Sequence, residues 1–160
     1  MSAGSLSALD RIDRAILRLL QHDCTLTVGE VAERVGLSQT PCWRRIQRLE
    51  EAGIIARRVA LLDGRKLGLG LTVFVAIRTD KHEQSWLDRF AAAARDFEEI
   101  QEIHRLTGEI DYLMRVVVPD IAAYDAFYKR LIAAVPLSDV TSSFSMEAIK
   151  STTELPIPKG

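Results

Sequence analysis

The stretch that most constrains this chain runs from Thr27 to Gly53. Thr27 stands three residues before Glu30, the spacing at which a threonine hydroxyl and a glutamate carboxylate each cap the other's backbone N–H at a helix start. Val28, Val31, Ala32 and Val35 follow at helical spacing and stop at Gly36, a residue that tolerates the positive φ with which helices often end. Ser38 is placed to cap a further helix expected to run to Ala52, with Gly53 ending it. Upstream, from Ser7, the residues Ile12, Ile16, Leu19 and Leu20 mark one buried face of a first helix. Three short helices with a tight turn between the second and third predict a helix-turn-helix.

The rest of the chain changes period. After Gly53 the segment Ile54 to Leu62 reads as a strand, and Asp63-Gly64, Gly68 and Gly70 mark a turn and hinge. Leu71 to Ile77 is strand-like and apolar on both faces for most of its length, more than one small sheet under two helices must bury. Trp86, Leu87, Phe90, Ala91 and Ala94 fall at helical spacing, Ile100 to Leu106 and Tyr112 to Val118 read as two strands, and Pro119-Asp120 precedes a helix. That helix is expected to bury Tyr124, Phe127, Tyr128, Leu131 and Val135 and to end at Pro136, before a last strand from Val140 to Ile149. The order βαββαβ predicts a ferredoxin-like unit. The fold class is α+β: a helix-turn-helix domain over 1–62, a hinge over 63–70 and a second domain over 71–160.

Composition narrows the function classes. At 160 residues and 48% hydrophobic, the chain has enough apolar surface for a core, which excludes disorder as its main description. The net charge of −1 conceals an asymmetry: residues 1–66 hold 11 basic and 8 acidic side chains, and the remainder has an acidic excess. An anionic partner is therefore expected at the first third. The longest weakly polar run, Leu67 to Ile77, is too short to cross a bilayer. Cys24 and Cys42 lack metal-ligand spacing, and His22, His82 and His104 are scattered, so no metal, cofactor or disulfide is expected and the location expected is cytoplasmic.

On a helical wheel at about 100° per residue, Cys42, Ile46 and Leu49 share one face of the third helix, while Thr40, Arg44, Gln47 and Arg48 occupy the other with Trp43 on the flank. No acid interrupts that polar face before Glu50. Guanidinium forks match a guanine edge or a phosphate and Gln matches adenine, so Ser38, Gln39, Thr40, Trp43, Arg44, Arg45, Gln47 and Arg48 are the candidate DNA contacts. An ordinary solvated helix face has the same composition; the capped helix and tight turn before it favour the major groove. Cys42 is expected to be a core thiol, and Cys24 lies in a polar inter-helix segment. Ser142, Ser143 and Ser145 have no His or Lys at an activating spacing and no phosphate loop is present, so catalysis is not expected.

The segment Leu9 to Ile55, with Leu37-Ser38 opening the third helix and Arg48-Leu49-Glu50 before Gly53-Ile54-Ile55, resembles the Lrp/AsnC transcription regulators. Gly108-Glu109-Ile110-Asp111-Tyr112 before an apolar strand is similar to that family's G-x-x-D turn, and Leu137 to Lys150 is similar to its final strand. Thr40-Pro41-Cys42-Trp43, Val59-Ala60-Leu61-Leu62-Asp63, Gly68-Leu69-Gly70-Leu71-Thr72 and Ser138 to Phe144 look closest to the cysteine-responsive regulators of cysteine detoxification. Thr141 stands where the family often has arginine. The resemblance implies a winged helix-turn-helix on pseudo-palindromic double-stranded DNA. It also implies a second domain that pairs into dimers, assembles into octamers and binds a free amino acid between dimers. The effector implied by the subgroup is L-cysteine; leucine or another amino acid is the alternative, as is a sensing module that acts through protein partners.

A zwitterionic ligand needs an anion for its ammonium and N–H groups for its carboxylate, which a glycine turn with Asp111 supplies. An ordinary hairpin turn has the same pattern, and it is the resemblance that favours a binding loop. The effector contacts expected are Thr107, Gly108, Glu109, Asp111 and Tyr112, with Ser142 and Ser143 of the last strand.

Overall fold

The computed structural model describes residues 9–79, 84–135, 137 and 139–158. Ser7, His82, Pro136 and Ser138, and the side chain of Leu87, lie outside the described residues. Two compact units divide the chain: residues up to Leu61 together with those from Lys150 on, and Leu62–Ile149.

The first unit is built on α1 (Arg11–His22), α2 (Val28–Val35) and α3 (Gln39–Glu51). Asp10 caps α1 and exchanges hydrogen bonds with Asp13, a capping box that the apolar stripe alone does not reveal. Thr27 and Glu30 form the expected box at α2, and Gly36 ends that helix with φ 70°, where any β-carbon is strained. Ser38 occupies the cap position of α3 without a side-chain hydrogen bond, and Ala52 and Gly53 close the helix. Ile16, Leu20, Val31, Ala32, Cys42, Ile46 and Leu49 form the core. Each of the Ile, Leu and Val side chains contributes about 1.5–3 kcal/mol by leaving water.

Ile54 to Leu62 has no regular strand structure, contrary to the expectation from sequence. A strand exists only by hydrogen bonding to a neighbour, and no described strand pairs with this segment. Residues 154–158, assigned from sequence to the second domain, contact α1 and the helical core. Gln21 both donates to the Leu155 carbonyl (3.0 Å) and accepts from the Leu155 N–H (3.1 Å). His22 Nδ1 lies 2.8 Å from Glu154 Oε1, Arg18 donates to the Pro158 carbonyl, and Ile157 packs against the helical core.

The second unit is a four-stranded antiparallel sheet in the order β2-β3-β1-β4, comprising β1 (Leu71–Arg78), β2 (Ile100–Arg105), β3 (Tyr112–Val118) and β4 (Asp139–Phe144). The helices α4 (Gln84–Arg95) and α5 (Ile121–Ala134) pack on one face, the split βαβ arrangement the element order predicts. Val73, Val75 and Ile77 from β1 and Tyr112, Met114, Val116 and Val118 from β3 bury against Trp86, Phe90, Phe127 and Leu131. Alternation puts Phe74, Ala76, Leu113, Arg115 and Val117 on the opposite face. The last strand stops at Phe144 rather than Ile149: beyond Ser145, whose N–H bonds to the Thr72 carbonyl, β1 has only Leu71 left, and Met146 and Ile149 are fully exposed. Tyr128 is half-buried rather than buried.

Candidate nucleic-acid interface and effector turn

Cys42, Ile46 and Leu49 turn one face of α3 into the core, and burial pushes the Cys42 thiol pKa up, in keeping with an inert core residue. Ser38, Gln39, Thr40, Trp43, Arg44 and Arg48 are exposed, with Trp43 at 51%. The polar face is not uniform. Asp13 on α1 is fully buried and receives Arg45 Nη1 on Oδ1 at 2.8 Å and Arg48 Nη2 on Oδ2 at 2.6 Å. Arg45 also reaches Asp10 at 2.6 Å. The N–H of Asp13 first, and Arg45 second, hold the Asp10 carboxyl below the usual carboxylate range.

These pairs divide the residues that sequence groups together. Arg45 is largely engaged in tying α3 to α1. Arg48 does the same with one nitrogen while its side chain stays 58% exposed. Gln47 donates to Glu50, which also receives Arg58 at 3.0 Å. Among the described residues the Arg44 side chain has no ion pair or hydrogen bond, so its guanidinium is available to an anion or a base edge. The Gln39 amide lies over the start of α2, where a β-carbon on Gly29 would meet its Nε2 at 3.0 Å. Asp10 and Asp13 are the functional support that sequence reading missed; their i, i+3 spacing before an apolar stripe is the signal that was present.

In the second unit, Thr107 to Asp111 joins β2 to β3, and Gly108 has φ 134°, a conformation that favours glycine. Asp111 knits the turn to β1: its N–H donates to the Ile77 carbonyl, its carbonyl accepts from Leu106, and its Oδ2 accepts from the Thr79 N–H at 2.8 Å. Its other oxygen, Oδ1, has no partner among the described residues. Arg78 holds the turn through the Glu109 carbonyl at 2.7 Å.

The remaining expected effector residues are not gathered at this turn within one chain. The Tyr112 ring is core, 5.0 Å from that of Phe90 and 5.9 Å from that of Trp86. Ser142 pairs with Val75 in register and bonds to the Tyr124 hydroxyl under the helices. Burial raises the Tyr124 pKa, and the Ser142 bond opposes that rise. Ser143 pairs with Phe74 and so projects to the opposite face. The two serine side chains thus stand on opposite faces of the sheet. Among the described residues no cluster of three His, Cys, Asp or Glu side chains is placed to hold a metal.

Residues 9–56 match the winged helix-turn-helix DNA-binding family model, and residues 72–155 match that of the Lrp/AsnC ligand binding domain. The chain is 56% identical over 150 residues to the DNA-binding transcriptional activator DecR of Escherichia coli (strain K12), covering 93% of this chain and 99% of that protein. The crystal structure of an AsnC family transcriptional regulator from Agrobacterium tumefaciens superposes with a TM-score of 0.90 at 60% identity, over 92% of this chain and 97% of that one. A Neisseria meningitidis transcriptional regulator in complex with L-Met superposes with a TM-score of 0.89 at 38% identity, over 93% and 97% of the two chains. With a capped helix-turn-helix in one unit and a ligand-binding sheet in the other, this chain belongs to the Lrp/AsnC family of DNA-binding transcriptional regulators.

Proposed function

We propose that α3 lies in the major groove of double-stranded DNA and that L-cysteine, bound at the Thr107–Asp111 turn, changes the affinity of that contact. The free guanidinium of Arg44 beside Thr40 and Trp43, on a helix that follows a capped helix and an αL turn, is the observation that carries the DNA half. Ser38, Gln39 and Arg48 flank it, whereas Arg45 and Gln47 act as supports. Two-fold pairing of such helices calls for a pseudo-palindromic operator with half-sites about one helical turn apart, or a multiple of it.

The effector half rests on Asp111 Oδ1, an acceptor left open beside a glycine turn, which suits an ammonium, with the turn N–H groups of Thr107 to Glu109 for the carboxylate. The resemblance of Thr40-Pro41-Cys42-Trp43 and the last strand to the cysteine-responsive regulators supports cysteine over leucine. The open sheet face, where Phe74 is 39% exposed beside Ala76, Leu113 and Val117, is the surface for a second copy, and assembly to an octamer follows the family resemblance. Ser143 lies on that face, so it joins an effector pocket only through another subunit. The protein acts in the cytoplasm, where its DNA is, and not as an enzyme.

Calorimetry with cysteine, leucine, asparagine and proline on the parent and Asp111→Asn tests the effector half. Cysteine is expected to bind the parent and to lose at least about tenfold in the variant, which keeps an acceptor for Thr79 but loses the charge. Unchanged binding in Asp111→Asn places the pocket elsewhere, and tighter leucine binding overturns the assignment of cysteine.

A further inference from the structure

The Thr107–Asp111 turn contributes no residue to the lining of one further pocket. Between α4 and the edge strand β2 there is a cavity of about 450 Å³, a size that holds small organic molecules. Its floor is apolar and preformed: Phe90 and Ala94 of α4 and Tyr112 of β3 are buried, and the Phe90 ring stacks on Trp86 at 5.1 Å while meeting Tyr112 at 5.0 Å. The rim is cationic. Arg95 closes α4 and Arg105 closes β2, and Arg105 sits opposite Tyr112 in register, which directs it to the helix-covered side. Both are exposed, and among the described residues neither side chain has a hydrogen bond or ion pair.

The acid that lines this cavity, Glu102, is already neutralised. It accepts from Arg115 at 2.9 and 2.7 Å and lies 3.3 Å from His104, and these partners hold its carboxyl below the usual range. A ligand's ammonium therefore finds no open anion here, while a ligand's carboxylate finds two open guanidiniums. We propose that the cavity between α4 and β2 is a second ligand site, for a small monocarboxylate with an apolar or aromatic body and no ammonium group. This chemistry is the complement of the Asp111 turn, where the open group is an acceptor.

The test is NMR titration of the full-length protein with 3-phenylpropanoate, 3-phenylpropan-1-amine and L-phenylalanine. Saturable shifts at the rings of Phe90 and Tyr112 are expected with the carboxylate, weaker ones with phenylalanine and none with the amine. Arg95→Gln and Arg105→Gln, both at exposed positions, are each expected to weaken the carboxylate by about tenfold, the loss of one charge-assisted hydrogen bond. Asp111→Asn is expected to leave it unchanged, which separates this site from the amino-acid turn. The proposal is overturned if the amine or phenylalanine binds as tightly as the carboxylate, if the double Arg→Gln variant keeps the parent's affinity, if Asp111→Asn loses the binding, or if no saturable shift occurs.

Discussion

Arg48 on α3 reaches back to Asp13 on α1 at 2.6 Å, and Arg45 takes the other oxygen of the same buried carboxylate. The orientation of the candidate recognition helix is thus fixed by an acid that never meets DNA. Replacing Asp13 by Ala leaves two guanidiniums over an apolar site, and both retain a path to water. The expected cost is about 2–3 kcal/mol of helical-unit stability, less than a fully buried orphan would incur. Hydrogen exchange at Leu17 and Leu20 reports it: faster exchange is expected in Asp13→Ala, and unchanged protection contradicts the role of the pair.

Arg44 and Arg48 are neighbours on the wheel but differ in their partners, so their alanine variants separate. Arg44→Ala is expected to keep the parent's stability and to lose about 1–3 kcal/mol of affinity on a selected operator, with relaxed preference at one base pair. Arg48→Ala is expected to lose stability as well, because it strips Asp13 of one cation. Fluorescence anisotropy at several salt concentrations, beside thermal denaturation, distinguishes the two. Equal stability losses in both variants contradict the division.

Residues 154–158 are part of the helical unit. Gln21 replaces a strand neighbour for Leu155, giving and receiving one hydrogen bond, and Ile157 covers part of the core. Gln21→Ala is expected to cost about 1 kcal/mol, and removal of residues 154–160 about 2 kcal/mol, with slower-exchanging amides of α1 losing protection first. Full protection after truncation contradicts the packing.

Acid lowers the stability of the same unit. Asp10 is held below its ordinary 3.8, first by the Asp13 N–H and then by Arg45, and Glu30 below its ordinary 4.5 by the N–H and hydroxyl of Thr27. A depressed carboxyl stabilises the fold above its unfolded pKa, and that contribution is lost as pH falls through the folded value. Urea midpoints are expected to be flat from about pH 7 to pH 5 and to fall below about pH 4.5, less steeply in Asp10→Asn. A midpoint that rises on acidification contradicts these two caps.

The features legible in the sequence are those whose cause is local. Thr27, Glu30 and Gly36 mark the limits of α2 because capping and positive φ involve only a few neighbouring residues, and Tyr112 to Val118 reads as a strand because its run is apolar at all but Arg115. Ile54 to Leu62 and the far end of the last strand look strand-like in sequence and are not strands, because an extended, apolar sequence becomes a strand only if a partner lies alongside. The same limit applies at the site. Sequence places Arg44, Arg45, Gln47 and Arg48 together as candidate contacts, but Asp13, which removes Arg45 from the free set, lies 32 residues away. Ser142 and Ser143 are adjacent in sequence and lie on opposite faces of a sheet.

The most direct measurement is of operator binding with and without amino acid. DNA selected from a random pool by the full-length protein is bound again, with and without L-cysteine, by the parent, Arg44→Ala and Asp111→Asn. The expected result is a pseudo-palindromic site whose affinity for the parent changes on adding cysteine, a weakened site in Arg44→Ala that still responds, and parental affinity in Asp111→Asn with no response. An Arg44→Ala variant that binds the selected site like the parent, or an Asp111→Asn variant that still responds to cysteine, contradicts the assignment.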